Sequence, residues 1–168
     1  MWMVRQCAAR NDGTIHYIRA YRKNVREIYE PGTAFELGRG QVLVPGTDVL
    51  LVGSGYLMAD ALDAAEELGR HGISVEVVDP VTVKPFDEEL IWNEAQGKKL
   101  VVTYENHSVI NGIGSAVADV LAKHGAGVPL LKLGAQDVFG QVGLVDLLKK
   151  EFKLTSADAV QAIEAALV

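Results

Sequence analysis

Four short apolar runs alternate with amphipathic segments between residues 48 and 133, and this alternation restricts the fold more than any other feature. The runs are 48–52, 73–78, 100–104 and 128–133. Continuous apolar strands are typical of a parallel sheet that is covered on both faces, and helices supply the crossovers between such strands. The pattern therefore predicts an α/β fold, a three-layer doubly wound arrangement around a mostly parallel five-stranded sheet.

Helices are predicted between and after these strands by apolar spacing and by capping residues. A stripe of apolar residues runs through 56–69, and a second one runs through 113–123. Asp87 stands at the N-cap of a further helix whose first turn is acidic. Thr155 and Asp158 have the spacing of a capping box, which predicts the start of the last helix.

The sequence ahead of residue 41 is less regular than the rest. Residues 15–20 alternate between apolar and polar side chains and are predicted to form a half-buried strand. Residues 21–40 are rich in charge and contain a Pro-Gly turn signal, so they are interpreted as a linker with a short strand near 34–37. Residues 41–168 are expected to be the compact α/β domain.

Composition excludes several classes of function. The net charge of −6 disfavours a nucleic-acid-binding surface, because binding to phosphates needs a basic face. The one cysteine excludes a disulfide framework within the chain. No apolar run approaches the ~20 residues of a membrane span, and the start of the sequence lacks the apolar core of a signal peptide. We therefore expect a cytoplasmic protein that contacts neither nucleic acid nor membrane.

Two glycine-rich segments each follow a strand and open a helix. Gly53-Ser54-Gly55 has the start of a dinucleotide fingerprint, but Met58 stands where the third glycine would be, which favours an ordinary tight turn. Gly112-Ile113-Gly114 could hold a phosphate at a helix N-terminus. The alternative, which we favour, is that its small residues let the helix approach the sheet closely.

Polar residues at a strand end and one arginine are the candidate functional side chains. Glu105, Asn106 and His107 end the third core strand. Glu105 and His107 could make an acid–base pair, or this polar strand end could contact another domain or subunit. We favour the contact. Arg22 follows residues 15–20, and its guanidinium could clamp a phosphate with two parallel hydrogen bonds. From the residues alone we favour the alternative, a solvated basic linker. The spacing of the histidines and of Cys7 predicts no zinc site.

From about Thr14 to the C-terminus, the chain resembles the C-terminal part of transketolases, and most of all the C-terminal subunit of split, two-chain transketolases. The resemblance rests on five segments in the same order along the chain. They are Tyr17–Asn24, Asp48–Gly55, Val77–Asp87, Glu105–Ala116 and Leu133–Gly140.

This resemblance implies a particular division of the enzyme. The family uses thiamine diphosphate and magnesium to transfer a two-carbon ketol unit between sugar phosphates, and its members have a pyrophosphate-binding, a pyrimidine-binding and a C-terminal domain. Residues 1–20 would be the tail of the pyrimidine-binding domain, and 41–168 the C-terminal domain. The family's Gly-Asp-Gly metal motif is absent from this sequence, so the chain alone is expected to hold no cofactor, no metal and no catalytic residue.

The resemblance also assigns roles and partners. Arg22 matches the family's arginine that helps to bind the sugar phosphate, while Glu105, Asn106 and His107 match residues given only an interface role. The partners implied are an N-terminal transketolase segment or subunit that carries the cofactor-binding domains, a sugar phosphate substrate and further copies of the chain, as a dimer. Three alternatives stay open: the C-terminal domain of a 2-oxoacid dehydrogenase beta subunit, the corresponding domain of a deoxyxylulose-phosphate synthase, and a stand-alone nucleotide-binding module.

Overall fold

The computed structural model describes residues 2–168, which form one five-stranded sheet with helices on both faces. The helices are named α1–α6 and the strands β1–β5 in chain order. Their bounds are α1 Trp2–Ala9, β1 Gln41–Val44, β2 Val49–Gly53, α2 Met58–Arg70, β3 Val75–Asp79, α3 Glu88–Ala95, β4 Leu100–Ser108, α4 Ile113–Lys123, β5 Leu130–Ala135, α5 Val145–Glu151 and α6 Ser156–Ala166.

The sheet is doubly wound and mostly parallel, as the strand pattern predicts. Its spatial order is β1-β3-β2-β4-β5. The strands β2 to β5 run parallel, whereas β1 pairs with β3 in the antiparallel direction. The chain passes from β2 to β3 on one side, and then crosses back over β2 to reach β4. The winding therefore changes direction between β2 and β4, which are neighbours.

Alternate residues of the central strands supply two separate cores, one on each face of the sheet. On one face Leu51 and Tyr104 pack with α2 and α6. On the other face Leu50 and Val101 pack with α3 and α4. All five residues of β2 are buried, because helices cover both of its faces. This confirms the three-layer prediction.

The short strand predicted near residues 34–37 is wrong, because these residues form no strand, and the fifth strand of the sheet is β1. The predicted strand at 15–20 is also wrong, because these residues form no strand and Ile15 is fully exposed. Alternation predicts a strand only where a neighbouring strand offers hydrogen bonds and an apolar face. Among residues 2–168 nothing pairs with this segment.

Residues 26–40, predicted to be linker, are attached to the domain by side-chain hydrogen bonds. The guanidinium of Arg26 donates to Asp63 and to the carbonyl oxygen of Ala59 in α2. The hydroxyl of Tyr29 donates to Asp79 Oδ2 over 2.7 Å at the end of β3. Among residues 2–168, no helix is long and apolar enough to cross a membrane.

Replacing Tyr29 by phenylalanine is expected to destabilise the domain, and more so at pH 7 than near pH 4. Burial raises the pKa of Asp79, and the hydrogen bonds from Tyr29 and from the amide of Val81 oppose that rise. A carboxyl whose pKa is raised on folding lowers the free energy of unfolding as the pH rises. The loss begins near the pKa of the unfolded chain, about 3.9, and is complete above the pKa of the folded chain. Removing one donor raises the folded pKa further, so we expect a loss of about 1–3 kcal/mol at pH 7.

Urea unfolding of Tyr29→Phe at both pH values measures this difference. Tyr17→Phe is a suitable control, because that side chain is exposed. An equal loss at the two pH values would contradict the assignment of the effect to the ionised form of Asp79.

Candidate functional site

The carboxyl ends of the four parallel strands meet at one edge of the sheet, and the turns that follow them form the candidate site. Open α/β sheets bind ligands at this edge, at the point where the winding changes direction. Here that point lies between the ends of β2 and β4. The segments that meet there are Gly53–Tyr56 after β2 and Glu105–Gly112 at the end of β4.

Glu105 is buried at the centre of this edge and is used inside the chain. Its side chain is only 2% exposed. Its carboxylate accepts hydrogen bonds from the amides of Ile113 and Gly114, each over 2.9 Å. These amides belong to the first turn of α4, where a negative charge interacts favourably with the helix dipole. Glu105 therefore caps α4 from the neighbouring strand.

This position corrects the prediction that Glu105 contacts another domain or subunit, because its carboxylate is buried and already hydrogen-bonded. It also excludes a phosphate cradle at the start of α4. A methyl group on Gly112 would lie 2.0 Å from Glu105 Oε2, so the space beside this glycine is filled by the carboxylate. The small residues here serve close packing, as we favoured.

Asn106 and His107 lie nearer to the surface than Glu105. Asn106 is partly exposed, and its Oδ1 lies 3.6 Å from the position that a Cβ on Gly55 would take, so it faces the turn after β2. His107 is exposed, and its Nδ1 lies 3.0 Å from the carbonyl oxygen of Ser108. No hydrogen bond or ion pair joins Glu105 to His107 among residues 2–168, because Glu105 is buried and bonded to α4 while His107 is exposed.

Tyr21, the residue before Arg22, lies at the same edge. The ring of Tyr21 stacks on that of Tyr56, with centroids 4.8 Å apart, at the turn after β2. Burial, followed by the neighbouring Tyr21 and Asp60, raises the pKa of Tyr56. Arg22 is exposed and has no hydrogen-bond or ion-pair partner among residues 2–168, so its guanidinium is available to an anion.

The described residues do not fit thiamine diphosphate with its magnesium ion. The start of α4 is filled by Glu105, and at the other glycine-rich turn a Cβ on Gly53 would lie 2.4 Å from Met58 Sδ. No group of three or more His, Cys, Asp or Glu able to hold a metal occurs within residues 2–168. Met58 also covers the turn that a dinucleotide would need, which counts against the nucleotide-binding alternative.

One feature of this edge was missed by sequence reasoning. The turns after β4 and β5 and the start of α5 expose six large apolar side chains, which we call the apolar turn surface: Ile110, Val138, Phe139, Val142, Leu144 and Leu147. The run from Val138 to Leu148 contains one charged residue, Asp146. That low charge was the available signal, but exposure could not be deduced from it.

Fold and site together define a doubly wound α/β domain. At the carboxyl edge of its sheet Glu105 caps helix α4, and polar and apolar side chains are exposed there. Residues 38–159 match the protein family described as transketolase, C-terminal domain. The chain belongs to this family. The resemblance inferred from the motifs is therefore confirmed.

The most informative relatives are transketolase parts. The chain is 45% identical over 152 residues to the 6-deoxy-6-sulfo-D-fructose transketolase subunit SqwH of Clostridium sp. (strain MSTE9), covering 90% of this chain and 47% of that protein. It is 41% identical over 149 residues to a putative transketolase C-terminal section of Methanocaldococcus jannaschii, covering 88% and 46%.

A solved structure agrees with these relatives. It is described as a split gene transketolase, inactive beta4 tetramer, and it matches with a TM-score of 0.79 and 44% identity over 87% of this chain and 47% of that one. The chain thus spans about half the length of the curated relatives it matches. These matches favour transketolase over the 2-oxoacid dehydrogenase alternative.

Proposed function

We propose that this chain works as the C-terminal domain of a split transketolase, an enzyme that transfers a two-carbon ketol unit between sugar phosphates. The observation that carries the proposal is the match to transketolase subunits along nearly the whole chain, at 41–45% identity. The cofactor-binding domains, with thiamine diphosphate and magnesium, would come from other parts of the enzyme. The predicted cytoplasmic location belongs to this proposal as well.

The contribution of this chain to the reaction would be to shape the substrate entrance. Arg22 is an exposed cation with no ion-pair partner among residues 2–168, next to Tyr21 of the carboxyl edge, and its planar fork matches the oxygens of a terminal phosphate. A terminal sulfonate presents oxygens in a similar arrangement, and the relative from Clostridium is named for a sulfonated sugar. The sugar that donates the ketol unit could therefore carry either anion, and the assay below compares a phosphorylated with a sulfonated donor.

The assembly would contain a second kind of chain and more than one copy of this one. The structural neighbour is described as a tetramer of its beta chain and as inactive in that form. An enzyme that needs a second chain for activity would behave in this way. We expect Asn106 and His107, which are accessible at the carboxyl edge, to contribute to a contact between domains or subunits.

A mixing assay tests the proposed function. The chain is combined with the transketolase segments of its source that carry the pyrimidine-binding domain and the Gly-Asp-Gly motif, together with magnesium and thiamine diphosphate. Ketol transfer from a ketose phosphate to an aldose phosphate is then followed, and a 6-sulfonated ketose is tested in parallel. Activity in the complete mixture, and not when this chain is left out, is the expected result. A stable complex without ketol transfer would contradict the proposal.

Replacing Arg22 by alanine in the completed enzyme is expected to raise the Michaelis constant for the anionic donor by about 10–100-fold, with a much smaller change in kcat. The estimate corresponds to the loss of a hydrogen bond between charged groups in a binding site. Steady-state kinetics with the active donor measures it.

Lys23→Ala provides the matched control, because Lys23 is the adjacent exposed cation. Arg22→Lys keeps the charge but loses the planar fork, and it should recover only part of the affinity. An unchanged Michaelis constant in Arg22→Ala would remove Arg22 from the substrate site.

A further inference from the structure

We infer that Glu76 and Glu94 share one proton inside the domain, and that this proton fastens the end of α3 to β3 as a pH-sensitive lock. Glu76 is the second residue of β3, and Glu94 lies in the last turn of α3. The lock therefore lies at the amino edge of the parallel strands, opposite the candidate site. It is independent of the proposed function.

The carboxyl group of Glu76 is held in the interior of the domain. It points to the same face of the sheet as Val78, whose side chain belongs to the core beneath α3 and α4. Among residues 2–168, no donor forms a hydrogen bond with its buried Oε1. An ionised carboxylate with such an oxygen is costly in a buried site. A proton on Oε1 would remove this cost, provided that an acceptor lies beside it.

Lys98 approaches Glu76 from the other side. Its ammonium group donates to the carbonyl oxygen of Gly46 over 2.6 Å and to Glu76 Oε2 over 3.4 Å. The side chains of Lys98 and Glu76 are each only 7% exposed. The shorter bond goes to the carbonyl oxygen, and the longer one reaches a single oxygen of the carboxyl group. Lys98 therefore accounts for Oε2 and leaves Oε1 to the residues of α3.

Glu94 is the acceptor that α3 places beside Glu76. Burial raises the pKa of Glu76, the charge of Lys98 opposes this rise, and a hydrogen bond with Glu94 adds to it. Two carboxyl groups can form a hydrogen bond only when one of them holds a proton. Glu94 is the more exposed of the two, so the proton belongs on Glu76 and the negative charge on Glu94. With the ammonium of Lys98, the cluster is then neutral.

No other charged group of the neighbouring elements takes part in this cluster within the described chain. Strand β1 has no charged residue, and β2 places Leu50 beside Glu76. The remaining charges are paired or exposed: Asp48 with Lys99, Lys123 of α4 with Glu88 of α3, and the exposed Glu89 and Asp119. When the pH rises and the proton leaves, two carboxylates face each other and repel. The end of α3 is then held less firmly.

Urea unfolding between pH 5 and pH 8 tests the lock. A carboxyl whose pKa is raised on folding stabilises the chain at low pH, and this stability is lost as the pH rises from the unfolded pKa, about 4.3, through the folded pKa. Glu76→Gln has no such proton to lose, and its amide can donate to Glu94 and accept from Lys98. Across this range the unfolding constant of the unmodified chain should rise at least about tenfold more than that of Glu76→Gln.

Two further variants complete the test. Glu89→Gln makes the same change on an exposed side chain of α3 and should keep the pH dependence of the unmodified chain. Glu94→Gln offers Glu76 Oε1 a donor at every pH, so it should lose that dependence as Glu76→Gln does.

The alternative is an ordinary ion pair between an ionised Glu76 and Lys98, and it predicts the opposite sign. Glu76→Gln would then lose stability relative to the unmodified chain as the pH rises from 5 to 8. That result, or an equal pH dependence of the two proteins, would overturn the inference. NMR of the glutamate carboxyl carbons in the unmodified chain gives a reading that needs no variant to fold. One glutamate that titrates well above the usual range is expected, and its absence would also overturn the lock.

Discussion

Replacing Glu105 by alanine is expected to lower the free energy of unfolding by about 4 kcal/mol, because two amides in the first turn of α4 lose their acceptor. Water cannot easily replace the carboxylate, since the site is buried. The favourable interaction of a negative charge with the helix N-terminus is lost as well. For a domain of this size the melting temperature should fall by roughly 10 °C, which differential scanning calorimetry measures.

Two further variants separate capping from general effects of mutation. Glu105→Gln keeps the size of the side chain, but its amide group can accept from only one of the two donors, so an intermediate loss is expected. Glu27→Ala removes an exposed glutamate and should change the melting temperature very little. Equal stability of Glu105→Ala and Glu27→Ala would contradict the capping role of Glu105.

Replacing Gly46 by alanine is the second change with a large expected effect. A Cβ at this position would lie 2.3 Å from both the amide nitrogen of Glu76 and the carbonyl carbon of Val75. These are backbone atoms of β3, so the clash cannot be relieved by a side-chain rotation. We expect a loss of about 4 kcal/mol or failure to fold. Denaturant unfolding, or the soluble yield where the variant does not fold, measures the effect.

Gly69→Ala tests the same substitution in open space. Gly69 lies in α2, and no atom outside its own helix comes within 4 Å of the added methyl group. Alanine is the better helix former, so this variant should gain about 0.5–1 kcal/mol. A Gly46→Ala variant with unchanged stability would show that β3 can move away from the turn before β2.

Local sequence signals predicted the elements whose cause is itself local. Helix α4 has the predicted bounds 113–123. Asp87 accepts from the amide of Leu90 at the start of α3, and Thr155 and Asp158 form the predicted capping box of α6. In each case the residues that make the determining contacts lie within four positions of one another, so a short stretch of sequence is enough to predict them.

The errors arose where a distant partner decides the outcome. Strand β1 is only four residues long and depends on pairing with β3, so its own sequence gives a weak signal. Residues 15–20 alternate as a strand does but have no partner within residues 2–168. Glu105 was expected to contact another domain or subunit. Its internal role depends on the packing of α4 against β4, which brings the amides of Ile113 and Gly114 to its carboxylate and which no local signal reports.

The candidate site was predictable only in part, because its position depends on the fold class and its exposed surface depends on tertiary packing. Its position at the strand ends followed from the fold class, and Asn106 and His107 are accessible there. The role of Arg22 as a phosphate ligand stays a prediction. The exposure of Phe139 could not be foreseen, since an apolar residue in a turn is buried or exposed according to the surrounding packing.

The attachment of residues 26–40 has a consequence for how genes of this kind can be divided. The amide of Gly38 donates to Thr82 and that of Gly40 donates to Asp87, and β1 follows at once along the edge of the sheet. A gene break placed at residue 41 would separate the domain from these hydrogen bonds and leave Asp79 without the hydroxyl of Tyr29. A break ahead of residue 26 would keep all of them. The unit that unfolds together therefore includes residues 26–40 and is larger than the repeating βα pattern suggests.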